Sequence, residues 1–194
     1  MKNLAVKKIM VIAALTSVVL LPEVSFAAKP CPKFDDLMAS LDRTIKPVPY
    51  AKVREFFGGK HGHKFDALSV FTRGEFSSEN TDFLTEARIY NINYATRTPA
   101  ENRAMADHLM SNYIVEGSAD QVNLPSATRA PKVIEHKALA AGTPPPADFF
   151  GTAEREIRTL LVRDTFPRFI RDIQEKGMVD STGKADLSYK GCTN

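Results

Sequence analysis

Between residues 71 and 94 the apolar side chains Phe76, Phe83, Leu84, Ala87, Tyr90 and Tyr94 return at intervals of three, four and seven. That is the period of an α-helix with one buried face, and it excludes the two-residue alternation of a half-buried strand. No strand pattern of useful length appears elsewhere, so the expected fold class is all-α. The stretch opens on the end of an earlier helix, where Leu68, Phe71 and Phe76 are apolar and Gly74 loosens the last turn. Ser77 is the expected N-cap of the next helix, with Glu79 and Asp82 at the positive end of its dipole. Glu79 and Asn80 fall off the apolar stripe and are expected to point outward.

The remaining helices follow the same logic. Phe34, Leu37, Met38 and Leu41 mark a first one, ended by Lys46 and the prolines 47 and 49. Residues 53–57 form a short piece stopped by Gly58 and Gly59. Helices are expected over residues 66–74 and 77–94. Thr98-Pro99 reads as a cap with a first-turn proline, opening a helix that carries Met105, Ala106, Leu109, Met110, Tyr113 and Ile114 as far as Gly117. A loop holding Val122, Asn123 and Leu124 leads to a short helix from Ser126, which Ala130-Pro131 is expected to break. Three consecutive prolines make residues 141–147 a surface connection. From Phe149 a helix buries Ala153, Ile157, Leu160 and Leu161, with Glu154, Arg155, Glu156 and Arg158 facing water. Asp164-Thr165 is expected to interrupt it, with Thr165 capping a last helix, and the chain from Gly177 is a polar tail.

Residues 1–27 read as a secretory leader: Lys2, Lys7 and Lys8, then an apolar run of thirteen residues from Ile9 to Leu21, then Ser25-Phe26-Ala27 as a cleavage site. The apolar run is too short for a membrane span. The expected mature chain starts near Ala28, comprising a helical segment over 28–64, a core over 65–176 and the tail 177–194. Removing the leader takes 26 basic residues to 23 and 23 acidic residues to 22, a formal charge of +1. That balance argues against a nucleic-acid or polybasic membrane-binding protein. Cys31 and Cys192 are the only cysteines. In an oxidising compartment they read as a disulfide, the other reading being two free thiols on frayed tails. His61 and His63, in a glycine-rich loop without a carboxylate cluster, are weak metal ligands, so no metal is expected. Phosphate loops, nucleophile elbows and paired Cys and His are missing too, so neither a cofactor nor a catalytic residue is expected.

Three motifs in order carry a resemblance. Glu75-Phe76-Ser77-Ser78-Glu79-Asn80 is followed by Phe83. Tyr113-Ile114 precedes Asn123 and Thr128-Arg129. Phe150, Ala153 and Ile157 lead to Asp164-Thr165-Phe166-Pro167-Arg168-Phe169. Together they resemble the regulator of G-protein signalling (RGS) domain family, over about residues 65–173. Leu84 stands where that family usually has tryptophan, and Pro125 where aspartate is commoner. The resemblance implies a two-lobed bundle of about nine helices with adjacent termini, which suits a Cys31–Cys192 bond. It implies a monomer that binds a G-protein α subunit and speeds its GTP hydrolysis without being an enzyme itself, by holding the switch segments in their transition-state arrangement. Glu79, Asn80, Asn123, Leu160, Asp164, Thr165 and Arg168 match the family's contact positions, Arg168 supporting Asp164. With the leader, of compact bacterial type, the expectation is a secreted or periplasmic protein, acting in a host's cytosol if it is an effector that mimics a host regulator. The other reading is a secreted or periplasmic helical binding protein that keeps the fold without activating a GTPase.

Overall fold

The computed structural model describes residues 29–45 and 64–193. The expected leader, the 53–57 helix and His61 and His63 lie outside the described residues. Seven α-helices occupy the rest: α1 Phe34–Thr44, α2 Lys64–Gly74, α3 Glu79–Asn93, α4 Pro99–Leu109, α5 Ser126–Ala138, α6 Gly151–Leu160 and α7 Phe166–Lys176. Helices α4 and α6 each run on into a wide π turn, Met110–Ile114 and Leu161–Thr165. The one sheet among the described residues is a hairpin of two-residue strands, β1 Met178–Val179 against β2 Ala185–Asp186. The all-α class holds.

Local sequence explains the helix ends that position the rest. At α4 the Thr98 hydroxyl accepts from the Glu101 amide at 3.2 Å and the Glu101 carboxylate accepts from the Thr98 amide at 2.9 Å, with Pro99 in the first turn. Helix α7 ends at Gly177, whose φ is +83° and where a Cβ would lie 3.0 Å from the Asp186 carbonyl oxygen; only glycine fits.

Two groups of elements pack. Helices α1, α2, α7 and the hairpin form one, joined by edge-on ring pairs Phe34–Phe166 at 5.5 Å and Phe71–Phe169 at 5.7 Å. Helices α3 to α6 form the other around Phe83, Tyr90 and Phe150, each 1% exposed or less. Phe150 meets Phe83 at 6.3 Å and Tyr90 at 5.4 Å. Burying each such ring contributes about 1.5–3 kcal/mol. The Tyr90 hydroxyl donates to the Pro145 carbonyl at 2.6 Å, pinning the triple-proline connection. Between the groups, Arg88 of α3 donates to both carboxylate oxygens of Asp42 on α1, at 2.9 and 2.6 Å, and lies 3.8 Å from Glu154 of α6.

Several sequence expectations are corrected. Phe76 is not in the core; it is 97% exposed. Ser77 does not cap: α3 starts two residues on, and the Ser77 hydroxyl donates to the Thr72 carbonyl instead. Pro131 does not break α5, which runs thirteen residues with the proline inside it as the sixth, at the loss of one bond of the hydrogen-bond ladder. Asp164-Thr165 does not interrupt the helix either. The chain absorbs it as the π turn, and Thr165 makes no side-chain cap. Glu154 does not face water: its side chain is 15% exposed, and burial holds its carboxyl above the ordinary range despite Arg88. Residues 177–193, expected as a polar tail, are folded onto α2 and α7, with Met178, Tyr189 and Cys192 buried. The Asp66 carboxylate accepts from the Ser181 amide at 2.7 Å there. Cys31 and Cys192 are bonded, with Cα atoms 5.0 Å apart. Backbone bonds from Cys31 to Thr193 (2.9 Å) and from Gly191 to Gln174 (2.8 Å) hold both ends beside α7.

Candidate functional site

The turn between α2 and α3 closes in a Schellman pattern. The Ser77 amide donates to the Thr72 carbonyl at 2.9 Å and the Phe76 amide to the Arg73 carbonyl at 3.2 Å. In that pattern the residue before last adopts positive φ and is usually glycine. Here it is Phe76, at φ +56°, the only non-glycine residue with positive φ among those described. A β-carbon there costs about 1 kcal/mol, and a phenyl ring in full solvent returns nothing to the fold. Phe76 thus joins the candidate site, a residue that sequence periodicity assigned to the core. The Thr72 and Thr81 hydroxyls, 2.9 Å apart and buried, fasten the turn from below.

Glu79 and Asn80 follow on the first turn of α3. Glu79 is half-buried, and Asn80 is not outward-pointing but buried, at 7% exposure. The Asn80 amide nitrogen donates to Glu79 Oε1 at 2.8 Å, while its oxygen Oδ1 is buried with no hydrogen-bond partner among the described residues. One turn on, burial keeps the Asp82 carboxyl above its ordinary range although Arg73 lies 3.4 Å away.

Along the α6–α7 segment, Leu160 is half-buried, Asp164 exposed and Thr165 buried. Arg168 donates to Asp164 Oδ2 at 2.9 Å, as expected, and its other guanidinium nitrogen lies 2.9 Å from Glu75 Oε2. One arginine therefore ties the π turn to the α2–α3 turn. Glu75 was legible as a motif residue but not as that tie.

Asn123 stands on its own loop. Val122 and Leu124 on either side are 0% and 4% exposed, so Asn123 between them is forced outward. The Val122 amide donates to the Tyr113 carbonyl at 3.0 Å and the Val122 carbonyl accepts from Arg129 at 3.0 Å. No hydrogen bond joins Asn123 to the other candidate residues among those described. Its link to α3 runs underneath, where the Tyr113 ring meets Phe83 at 5.7 Å. The structure thus brings together Glu79 with Asn80 and Asp164 with Arg168, couples these through Glu75, and leaves Asn123 separate but rigidly held. No group of histidine, cysteine and carboxylate side chains suited to a metal ion occurs among the described residues.

What these features define is a helical domain that presents a few polar groups and one strained phenylalanine on structure fixed from beneath. The family model for the regulator of G protein signaling domain matches residues 61–174, and the chain belongs to that family. It is 31% identical over 125 residues to Regulator of G-protein signaling loco of Drosophila melanogaster, across 64% of this chain and 8% of that protein. With Regulator of G-protein signaling rgs-7 of Caenorhabditis elegans it shares 32% over 102 residues, 53% of this chain and 12% of that protein. With Regulator of G-protein signaling 21 of Homo sapiens it shares 27% over 116 residues, 60% and 70% of the two chains. The matched stretch is thus a small part of the first two relatives.

Proposed function

We propose that this chain binds α subunits of heterotrimeric G proteins and accelerates their GTP hydrolysis, supplying geometry rather than a catalytic group. The observation that carries the reading is Asn123, a solvent-facing amide next to Val122, whose backbone is clamped by Tyr113 and Arg129, within a chain of this family. An amide fixed in this way can hold the α subunit's own glutamine and switch threonine in the transition-state arrangement without losing entropy at the moment of reaction. Glu79 and Asn80, with Phe76, meet the switch segments on one side. Leu160, Asp164 and Thr165 meet them on the other, with Arg168 holding Asp164. The partner carries the chemistry, so this chain acts as an activator, as a monomer.

The proposed setting is outside the producing cell, as a secreted effector that reaches a host's α subunit. The Cys31–Cys192 bond supports an oxidising passage. The test is single-turnover GTP hydrolysis by inhibitory-class and other α subunits, with binding measured to the GDP–aluminium fluoride and GDP states. Faster hydrolysis and tighter binding to the fluoride state are expected, since only interactions stronger in the transition state accelerate the step. A broad panel showing neither leaves a secreted or periplasmic helical binding protein with this fold and no activating function.

Phe76→Gly should separate the two costs at this face. Relief of the positive φ is expected to raise stability by about 1 kcal/mol, seen as a higher melting temperature, while affinity for the fluoride-state α subunit falls. Loss of stability on this substitution would mean that the ring packs on the fold after all.

A further inference from the structure

Glu86 is a buried carboxylate in the middle of α3, 6% exposed, that no contact surface uses. Its Oε1 accepts from the Tyr113 hydroxyl at 2.8 Å, and its Oε2 lies 2.8 Å from His108 Nε2. Asn112 Nδ2 sits 3.1 Å from His108 Nδ1. Glu86 Oε2 is buried and makes no hydrogen bond among the described residues, which leaves Tyr113 as the directional partner of Glu86 there. These neighbours come from α4 and the π turn that follows it. The same turn's Tyr113 carbonyl receives the Val122 amide, one residue before Asn123.

We propose that Glu86 is a positioning residue that sets where the Asn123 loop stands relative to Glu79 and Asn80; the proposal rests on the activator reading above. A buried carboxylate is a poor way to stabilise a helix interior, since an apolar side chain of similar volume usually does as well or better. A directional contact does something an apolar one does not: it fixes a tyrosine ring and its backbone in one register. Glu86 lies on the same helix as Glu79 and Asn80, two turns further along. Fastening Tyr113 to it converts α3 into a ruler between the Glu79–Asn80 pair and the Asn123 loop. Burial beside Glu86 also pushes the Tyr113 phenol up, which keeps it a donor across the working pH range.

The experiment compares wild type with Glu86→Leu, Tyr113→Phe and Glu86→Gln in two measurements. The first is amide hydrogen exchange at Val122 and Leu124 in the free protein, which needs no partner. The second is the ratio of affinities for the fluoride-state and GDP-state α subunit. Glu86→Leu and Tyr113→Phe should each speed exchange at Val122 and lower the state preference, both by about tenfold, with little change in melting temperature. Glu86→Gln keeps an acceptor for Tyr113 and should restore both readings. Should Glu86→Leu not fold, Tyr113→Phe and Glu86→Gln decide the matter alone. Unchanged exchange at Val122 in folded Tyr113→Phe overturns the proposal, whatever the affinity ratio. Faster exchange with no state preference even in wild type upholds the positioning and sinks the activator reading instead.

Discussion

Replacing Asn123 with alanine is expected to cut the acceleration of GTP hydrolysis by about a hundredfold while moving the melting temperature by no more than about 2 °C. The two halves of the expectation have separate physical origins. Stability is spared because the side chain is exposed and makes no hydrogen bond among the described residues, the loop being held by Val122, Leu124 and Arg129 instead. Acceleration is lost because a preorganised amide is worth most where water would otherwise compete for the same partner. Glu79→Ala should cost less, since it removes one contact among several. Single-turnover rates at saturating protein, beside circular dichroism melts, check both halves. A large fall in melting temperature would place Asn123 in the fold rather than in recognition.

Reduction of the Cys31–Cys192 bond is the expected large effect on stability. The bond spans 161 residues, for which the chain-entropy relation gives about 5 kcal/mol as an upper figure. In a domain of this size that is a fall in melting temperature of about 10 °C or more. The fold itself should survive, because the ends are also held by the Cys31–Thr193 and Gly191–Gln174 backbone bonds and by Gln174 donating to the Cys192 carbonyl at 2.8 Å. Melts with and without reductant, with intact mass after alkylation, are the measurement. Equal melting temperatures in the two states would show that the crosslink adds nothing beyond those contacts.

The architecture was legible where a single periodicity governed a long segment. The stripe from Phe83 to Tyr90 and the Thr98-Pro99 start both stand as read. What escaped were places where two local rules competed. Phe76 fits the helical stripe by spacing, yet it sits at the one position of the α2–α3 turn where the backbone turns left-handed, and no count of apolar residues reveals a sign change in φ. Asn80 and Glu154 look like surface residues by type, but each is enclosed by neighbours from elsewhere in the chain, a tertiary effect no window of sequence contains. The residues of the site were legible only through their family motifs. Glu75 and Glu86, whose importance lies in contacts to Arg168 and Tyr113, become visible only with distances in hand.

The wide turn at Leu161–Thr165 has a consequence for length changes in this region. A π turn holds one more residue than the α-helical path it replaces, and each residue of helix advances the side chains by about 100°. Removing one residue from that turn would return the regular α-helical path and leave α7 close to its present orientation, whereas adding one residue to regular helix there, with no wide turn to take it up, would rotate every side chain beyond it by that angle about the shared axis. Arg168 would then swing away from Glu75, and Phe169 would leave Phe71. The wide turn is therefore what lets the segment carry its extra residue and still deliver Arg168.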